Sequence, residues 1–237
     1  MKIRWFIGAA VLAMAFAMPA QAQFFSDNFD GYAAGSTIAG QGGWETWGGD
    51  PTANAVVTDS FSYSSPNSLA VSGTADIVHQ WVGVSGGTWY AKVWTYVPSS
   101  QSGELFFILL NIFDGFCANA GDCNWSVQVV LCQSGCVTTG ANPGLVTNLG
   151  GTDVGGGGAA MLLLDQWVEL RVEVDFSAGL YTVYYDNQFV DIQQWTLTGA
   201  NEIAAFDLYS DGSSESYMDN VWLDTTIPVE LMNFDVE

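Results

Sequence analysis

Positive charge is almost missing from this chain. Its 237 residues carry 4 Lys and Arg and 1 His against 25 Asp and Glu, a formal net charge of −21 at pH 7. Lys2 and Arg4 sit at the extreme N-terminus, so Lys92 and Arg171 are the only cations in the rest of the sequence. That scarcity argues against nucleic acid, because neutralising phosphates takes clustered Lys and Arg. Anionic polysaccharides and acidic membrane surfaces are disfavoured on the same ground. Neutral glycans, divalent cations and high-salt surroundings remain, and self-repulsion alone would already serve solubility. Long apolar runs are also scarce. Trp5 to Met18 is 14 residues, short of the roughly 20 that span a bilayer as a helix. Nucleophile and metalloprotease motifs are missing: there is no Gly-x-Ser-x-Gly and no His-Glu-x-x-His. Gly155 to Gly158 lacks the Lys-Ser/Thr that follows a phosphate-cradling loop.

What is present at the N-terminus reads as an export signal. Lys2 and Arg4 form a positive start, Trp5 to Met18 an apolar stretch and Ala20-Gln21-Ala22 a small-residue cleavage site, so residues 1–22 are expected to be removed. A secreted protein with a single domain over 23–225 follows, with a short tail at 226–237. The body is rich in glycine (27) and aromatics (14%) and poor in proline (6). Helical periodicity is absent over any useful window, and only Ala53 to Val57 or Gly155 to Leu164 could hide a short helix. Short strands between Gly, Asn, Asp and Ser turns fit an all-β sandwich.

The strongest strand signal is Gln166 to Val190. Val168, Leu170, Val172, Val174 and Phe176 alternate with Glu169, Arg171, Glu173 and Asp175, giving one dry and one wet face. Leu180 to Asp186 alternates again, and Asp186-Asn187 makes a tight turn into Gln188-Phe189-Val190, since both residues tolerate left-handed backbone angles. A Trp followed by this alternating strand, Gly179 and a tyrosine-rich strand ending in Asp-Asn resembles the back-sheet hairpin of the concanavalin A-like lectin/glucanase superfamily, laminin-G-like domains included, here in a secreted bacterial type. Phe25-Ser26-Asp27-Asn28-Phe29-Asp30 resembles the opening segment of such domains, and Tyr217-Met218-Asp219-Asn220-Val221-Trp222-Leu223 the closing strand. The resemblance implies a two-sheet antiparallel jelly roll with adjacent terminal strands and a glycan site on one sheet. It also implies a structural calcium ion near the termini, held by Asp27, Asp30 and Asp219; an Asp219 that merely caps or solvates an edge is the alternative.

Cys117, Cys123, Cys132 and Cys136 lie within twenty residues, and four cysteines allow three pairings. Glu104 to Asp114 and Asn124 to Cys132 read as a hairpin whose loop contains Cys117 and Cys123. That favours Cys117–Cys123 and Cys132–Cys136 over the nested pairing. A zinc site is the other option, though the one histidine is far away in sequence and an exported chain favours bridges.

Alternation within individual strands marks a candidate ligand face. Trp89 to Val97 puts Ala91, Val93, Thr95 and Val97 on one side and Tyr90, Lys92, Trp94 and Tyr96 on the other. An isolated Lys is costly to bury, so that second side is expected to be wet. In Asp76 to Val84 the inward set is Val78, Val82 and Val84, leaving Ile77, His79 and Trp81 opposite. In Asn124 to Cys132 it is Trp125, Val127, Val129 and Leu131, leaving Ser126 and Gln128. In Glu202 to Ser210 it is Ala204, Phe206 and Leu208, leaving Asp207 and Tyr209. If these strands are neighbours, the outward residues share one surface on which sugar rings stack on aromatics and polar side chains bridge hydroxyls.

Catalytic chemistry is not evident. Retaining glucanases of this superfamily carry paired carboxylates on one strand, and the nearest spacing here, Glu169-x-Arg171-x-Glu173-x-Asp175, fits a solvated outer face. One histidine and two cations fall short of a polysaccharide lyase. The sequence thus points to a non-catalytic, lectin-like module for a neutral extracellular glycan. A structural or adhesive surface protein able to self-associate is the alternative, and a jelly-roll glycoside hydrolase or lyase comes third. Ile227-Pro228-Val229-Glu230-Leu231 resembles the start of a C-terminal sorting region, or else packs as a last strand.

Overall fold

The structure, a computed structural model, describes residues 24–117, 119, 121–151 and 157–227. The expected export signal and residues 228–237 of the tail lie outside them. The described residues form fifteen strands. The first five are β1 (Phe25–Asp27), β2 (Trp44–Thr46), β3 (Val56–Thr58), β4 (Ser68–Gly73) and β5 (Asp76–Gln80). The central ones are β6 (Thr88–Tyr96), β7 (Glu104–Phe113), β8 (Cys123–Cys132), β9 (Leu145–Asn148) and β10 (Ala159–Met161). The last five are β11 (Trp167–Asp175), β12 (Leu180–Tyr185), β13 (Gln188–Gln194), β14 (Ala205–Asp211) and β15 (Ser213–Asp224). Where a short helix had room at 53–57 and 155–164, the described residues form β3 and β10.

Two antiparallel sheets result. Sheet A runs β13-β12-β11-β6-β15-β4-β3, with β1 also paired to β15; sheet B runs β10-β9-β8-β7-β14-β5-β2. The terminal strands are neighbours, with Phe25 opposite Leu223 and Asp27 opposite Val221. Asp186 and Asn187 carry the β12–β13 turn with φ of 53° and 56°, and β11 is buried at every second residue, as its alternation requires.

The core lies between the sheets. Sheet A contributes Val93, Leu170, Val172 and Val183, and sheet B contributes Ile77, Phe107, Val129 and Phe206. Phe206 is fully buried and meets Phe107 edge-on at 4.5 Å between ring centroids. A second apolar cluster lies on the far side of sheet B, with Val78, Phe106, Ile108, Leu110, Val130 and Ala205 beneath Trp47, Phe113, Trp125 and Tyr209. Sheet B is therefore covered on both faces, the outer one by loops. Both favoured disulfides, Cys117–Cys123 and Cys132–Cys136, are formed, each tying a loop to one end of β8.

Phe206→Ala should lower unfolding free energy by about 3–5 kcal/mol in urea melts. Phe189→Ala, at a 60% exposed position, should stay within about 0.5 kcal/mol. Equal effects would place Phe206 outside the core.

Candidate functional site

Pairing across sheet B builds two parallel rows of side chains on its outer face. One row is Val78, Asp207, Ile108 and Gln128; the other is Asp76, Tyr209, Phe106 and Val130. Loops rise around this floor and enclose a pocket of about 500 Å³, lined from the floor by Asp76, Asp207, Tyr209 and Gln128 and from the sides by Trp47, Trp125 and Phe116. Trp47 belongs to a single 3-10 turn and stacks on Trp125 at 5.7 Å and 17° between planes. Trp125 reaches the pocket through an irregularity. Register slips between Leu109 and Leu110, where Val127 and then Trp125 are the partners on β8. The extra residue, Ser126, absorbs the slip and turns Trp125 to the outer face.

The electrostatics of the floor centre on two carboxyls. Asp207 is 2% exposed. Burial, and then the negative charge of Asp76, push its pKa well above the carboxylate range. Burial pushes Asp76 up to about 6, an effect its hydrogen bond with Asp207 partly offsets. The pair therefore retains a proton under conditions where ordinary carboxyls have lost theirs. Burial and the surrounding acids Asp211, Asp76, Asp207 and Glu104 raise Tyr209 as well. One oxygen of each carboxyl, Oδ1 of Asp76 and Oδ1 of Asp207, is buried with no hydrogen-bond partner. No Lys, Arg or His lines the pocket.

Of the expected ligand residues, Gln128, Asp207 and Tyr209 meet here. The four expected on β6 do not join them, because β6 belongs to sheet A. Tyr90, Lys92, Trp94 and Tyr96 face outward on that opposite sheet, and the expected single surface is split between the two sides of the sandwich. The wet face assigned to Lys92 is corrected too. Lys92 is 6% exposed, pairs with Glu169 at 3.1 Å and lies 5.5 Å from the Trp222 ring centre, while Arg171 binds the same Glu169 and also Glu173. Its charge is buried because it is paired. Trp94 stacks under Tyr63 at 3.8 Å and, with Lys92, Trp222 and Asn220, lines a separate pocket of about 560 Å³.

His79 and Trp81 are likewise reassigned. Val78 lies opposite Asp207, so Val78 faces out and Ile77 and His79 face the other sheet, the reverse of the expected set. His79 contacts the rings of Phe25, Trp44 and Trp81 and reaches the Gly42 carbonyl at 3.2 Å. Burial lowers its pKa and keeps the ring neutral. Trp81 lies beyond the end of β5 and packs partly against the inter-sheet core, and Val82 is 94% exposed rather than inward.

The calcium ligands are not assembled. Oδ2 of Asp27 accepts bonds from the Tyr32 hydroxyl and the Trp44 indole, and its Oδ1 accepts one from the Phe29 amide. Asp30 accepts from the Asn67 amide and the Asn28 side chain. Asp219 is buried and accepts from the amides of Tyr63, Ser64 and Asn220. Each carboxylate is turned toward N–H and O–H donors, the opposite of what a cation needs. Among the described residues, the two groupings of metal-type ligand atoms are Glu104 with Cys132 and Cys136, and Asp114 with Cys117 and Cys123. All four of those sulfurs are spent in disulfides.

No known family model matches the sequence, and no curated protein is similar to it. Solved structures do match in shape. An endo-β-1,4-glucuronan lyase from the fungus Trichoderma reesei aligns over 86% of this chain and 96% of its own, at 9% identity and a TM-score of 0.55. A sialidase aligns over 85% of this chain but 18% of its own, at 11% identity and a TM-score of 0.54. A carbohydrate-binding module from Bacillus subtilis aligns over 77% and 95%, at 12% identity and 0.46. The fold is a two-sheet antiparallel jelly roll. The expectation of a non-catalytic module is corrected by the same finding, since the first two matches are enzymes. A search for paired carboxylates on one strand could not see the acid pair on sheet B, because its members are 131 positions apart in the chain and meet only through the β5–β14 pairing.

Asp76 and Asp207 bind a proton more tightly folded than unfolded. Their contribution to stability is complete below the unfolded carboxyl range near pH 4; that of Asp76 is lost as pH rises through about 6, and that of Asp207 is lost in the same direction as pH rises. Burial also raises Asp219 to about 6, which adds loss in the same direction. The melting temperature should therefore fall between pH 4 and pH 7, and Asp207→Asn should flatten that slope. An unchanged slope in the variant would show that the pair holds no extra proton.

Proposed function

We propose that the protein is an extracellular, saccharide-directed β-sandwich and that the pocket on sheet B takes the sugar. The observation that carries this reading is the meeting of stacked Trp47 and Trp125 with Tyr209, Gln128, Asp76 and Asp207 in a space of about 500 Å³. Indole and phenol faces receive the C–H faces of a sugar ring, while carboxyl and amide groups fix its hydroxyls. A flat apolar patch would favour an adhesive role; a recess with polar groups on its floor favours a small polar ligand. Uronates are disfavoured because the pocket's charged groups are acids and no cation lines it. The sheet-A pocket is given no sugar in this reading: Tyr63 covers one face of Trp94, and Lys92 is committed to Glu169. Two disulfides agree with an oxidising, extracellular setting. No helix among the described residues is long and apolar enough to cross a membrane.

A second reading, cleavage of the bound saccharide in the same pocket, is favoured by the coupled carboxyls. A carboxyl that stays protonated beside a sugar-sized recess has the property a general acid requires. Asp207 would donate the proton, with Asp76 setting its affinity.

Calorimetric titration with a panel of oligosaccharides tests the first reading. Trp125→Ala should cost about 1–3 kcal/mol of binding, and Trp94→Ala should leave affinity unchanged. The reverse pattern would move the site to sheet A. Release of reducing ends tests the second reading: it should vanish in Asp207→Asn while binding persists, and its absence in the wild-type protein rules cleavage out for the sugars tried.

A further inference from the structure

Buried acids elsewhere in this molecule have been supplied with donors. Glu169 has Lys92 and Arg171, and Glu104 accepts from the amides of Val137 and Thr138 and the Thr138 hydroxyl. Asp219 has its three backbone amides. Among the described residues, the carboxyl oxygens buried without any donor are Oδ1 of Asp76 and Oδ1 of Asp207. Both residues line the sheet-B pocket, and Asp207 is 98% covered by protein. Carboxylate oxygens are acceptors only, so whatever completes them must bring hydrogen. A proton shared between the two carboxyls supplies a single hydrogen, so the pair keeps a negative charge and acceptor capacity toward the pocket.

We infer that the pocket selects a saccharide carrying a free amine, whose ammonium group sits against Asp76 and Asp207. This rests on the reading of the pocket as the sugar site and names the class of sugar it takes. An ammonium offers three donors to two orphaned oxygens and supplies the positive charge that the lining lacks. Trp47, Trp125 and Tyr209 bound the same space, and the negative faces of such rings attract a cation, most strongly when it is partly desolvated. A neutral hydroxyl would satisfy at most one of the orphaned oxygens with its single proton. An acetylated amine loses both the charge and two of its donors.

The test is calorimetric titration of the full chain with three disaccharides of one linkage, built from glucosamine, N-acetylglucosamine and glucose. The glucosamine disaccharide should bind about tenfold tighter than the other two, the scale of one partly desolvated ion pair with aromatic support. Asp207→Asn and Asp76→Asn should each abolish that preference while keeping the wild-type near-ultraviolet dichroism. Asp175→Asn, a change on the opposite sheet, should retain it and so controls for attraction to the acidic surface. A preference that survives both pocket variants, or is lost in Asp175→Asn, overturns the inference. If the neutral disaccharides bind as well as the amine and Trp125→Ala abolishes binding, the amine inference fails and the saccharide reading stands. If none of the three binds, or binding is indifferent to Trp125→Ala, the saccharide reading fails with it.

Discussion

Strand β14 is the member on which both halves of the molecule depend. It lies between β5 and β7 in sheet B, and its alternation sends Phe206 and Leu208 into the core and Asp207 and Tyr209 into the pocket. A slip of one residue would exchange these sets, placing a carboxyl and a phenol between the sheets and two large apolar side chains in the pocket. The fully buried Phe206 and Leu208 forbid that slip, because removing them from the core costs far more than any pocket contact returns. The apolar face thus fixes the register, and the register delivers Asp207 beside Asp76. Site and core are two consequences of one pairing.

A chain with so few cations must find other partners for its acids. Backbone amides at turns and loop entries fill that role: Asp114 holds the amides of Phe116 and Cys117, Asp175 those of Ser177 and Ala178, and Asp165 that of Ser99. Such bonds draw on donors that a loop must satisfy in any case. The two available cations are concentrated instead in one network on sheet A, where Glu169 joins Lys92 to Arg171. The acidity that argues against nucleic acid is therefore also an architectural device, fastening loops and turns through their backbone amides.

Regular alternation made much of the fold legible. The alternation of β11, the Asp186-Asn187 turn and both disulfides follow from local patterns and are present, and the adjacent termini follow from the resemblance. The outer face of β11 is half-buried instead of wet, its Glu169 and Arg171 side chains 11% exposed. What escaped were features set by partners distant in sequence. Nothing between Asn124 and Leu131 marks Ser126 as the residue that interrupts the period, so Trp125 read as core when it is a pocket wall. Asp76 opens its strand with no local sign that Asp207 awaits it. The alternation at 76–84 was read in the wrong phase because Val78 is as apolar as Ile77, and sheet B buries apolar residues on both faces. Trp94 and Tyr209 look alike in sequence, yet lie on opposite sides of the sandwich, since membership of a sheet is decided by pairing and not by composition.

Both disulfides bear on one edge of the molecule. Cys117 is itself part of the pocket lining, and the loop beyond Cys136 brings Thr138 to the same rim, where Glu104 fastens it. The interior between the sheets contains no sulfur cross-link; aliphatic and aromatic packing fills it, and the Tyr181 hydroxyl of sheet A bonds the Asn148 side chain of sheet B across it. Assembly can accordingly proceed in two stages, the sandwich closing by hydrophobic burial and the rim setting once the thiols are oxidised. The redox history of the chain is written in the mouth of its pocket and nowhere else.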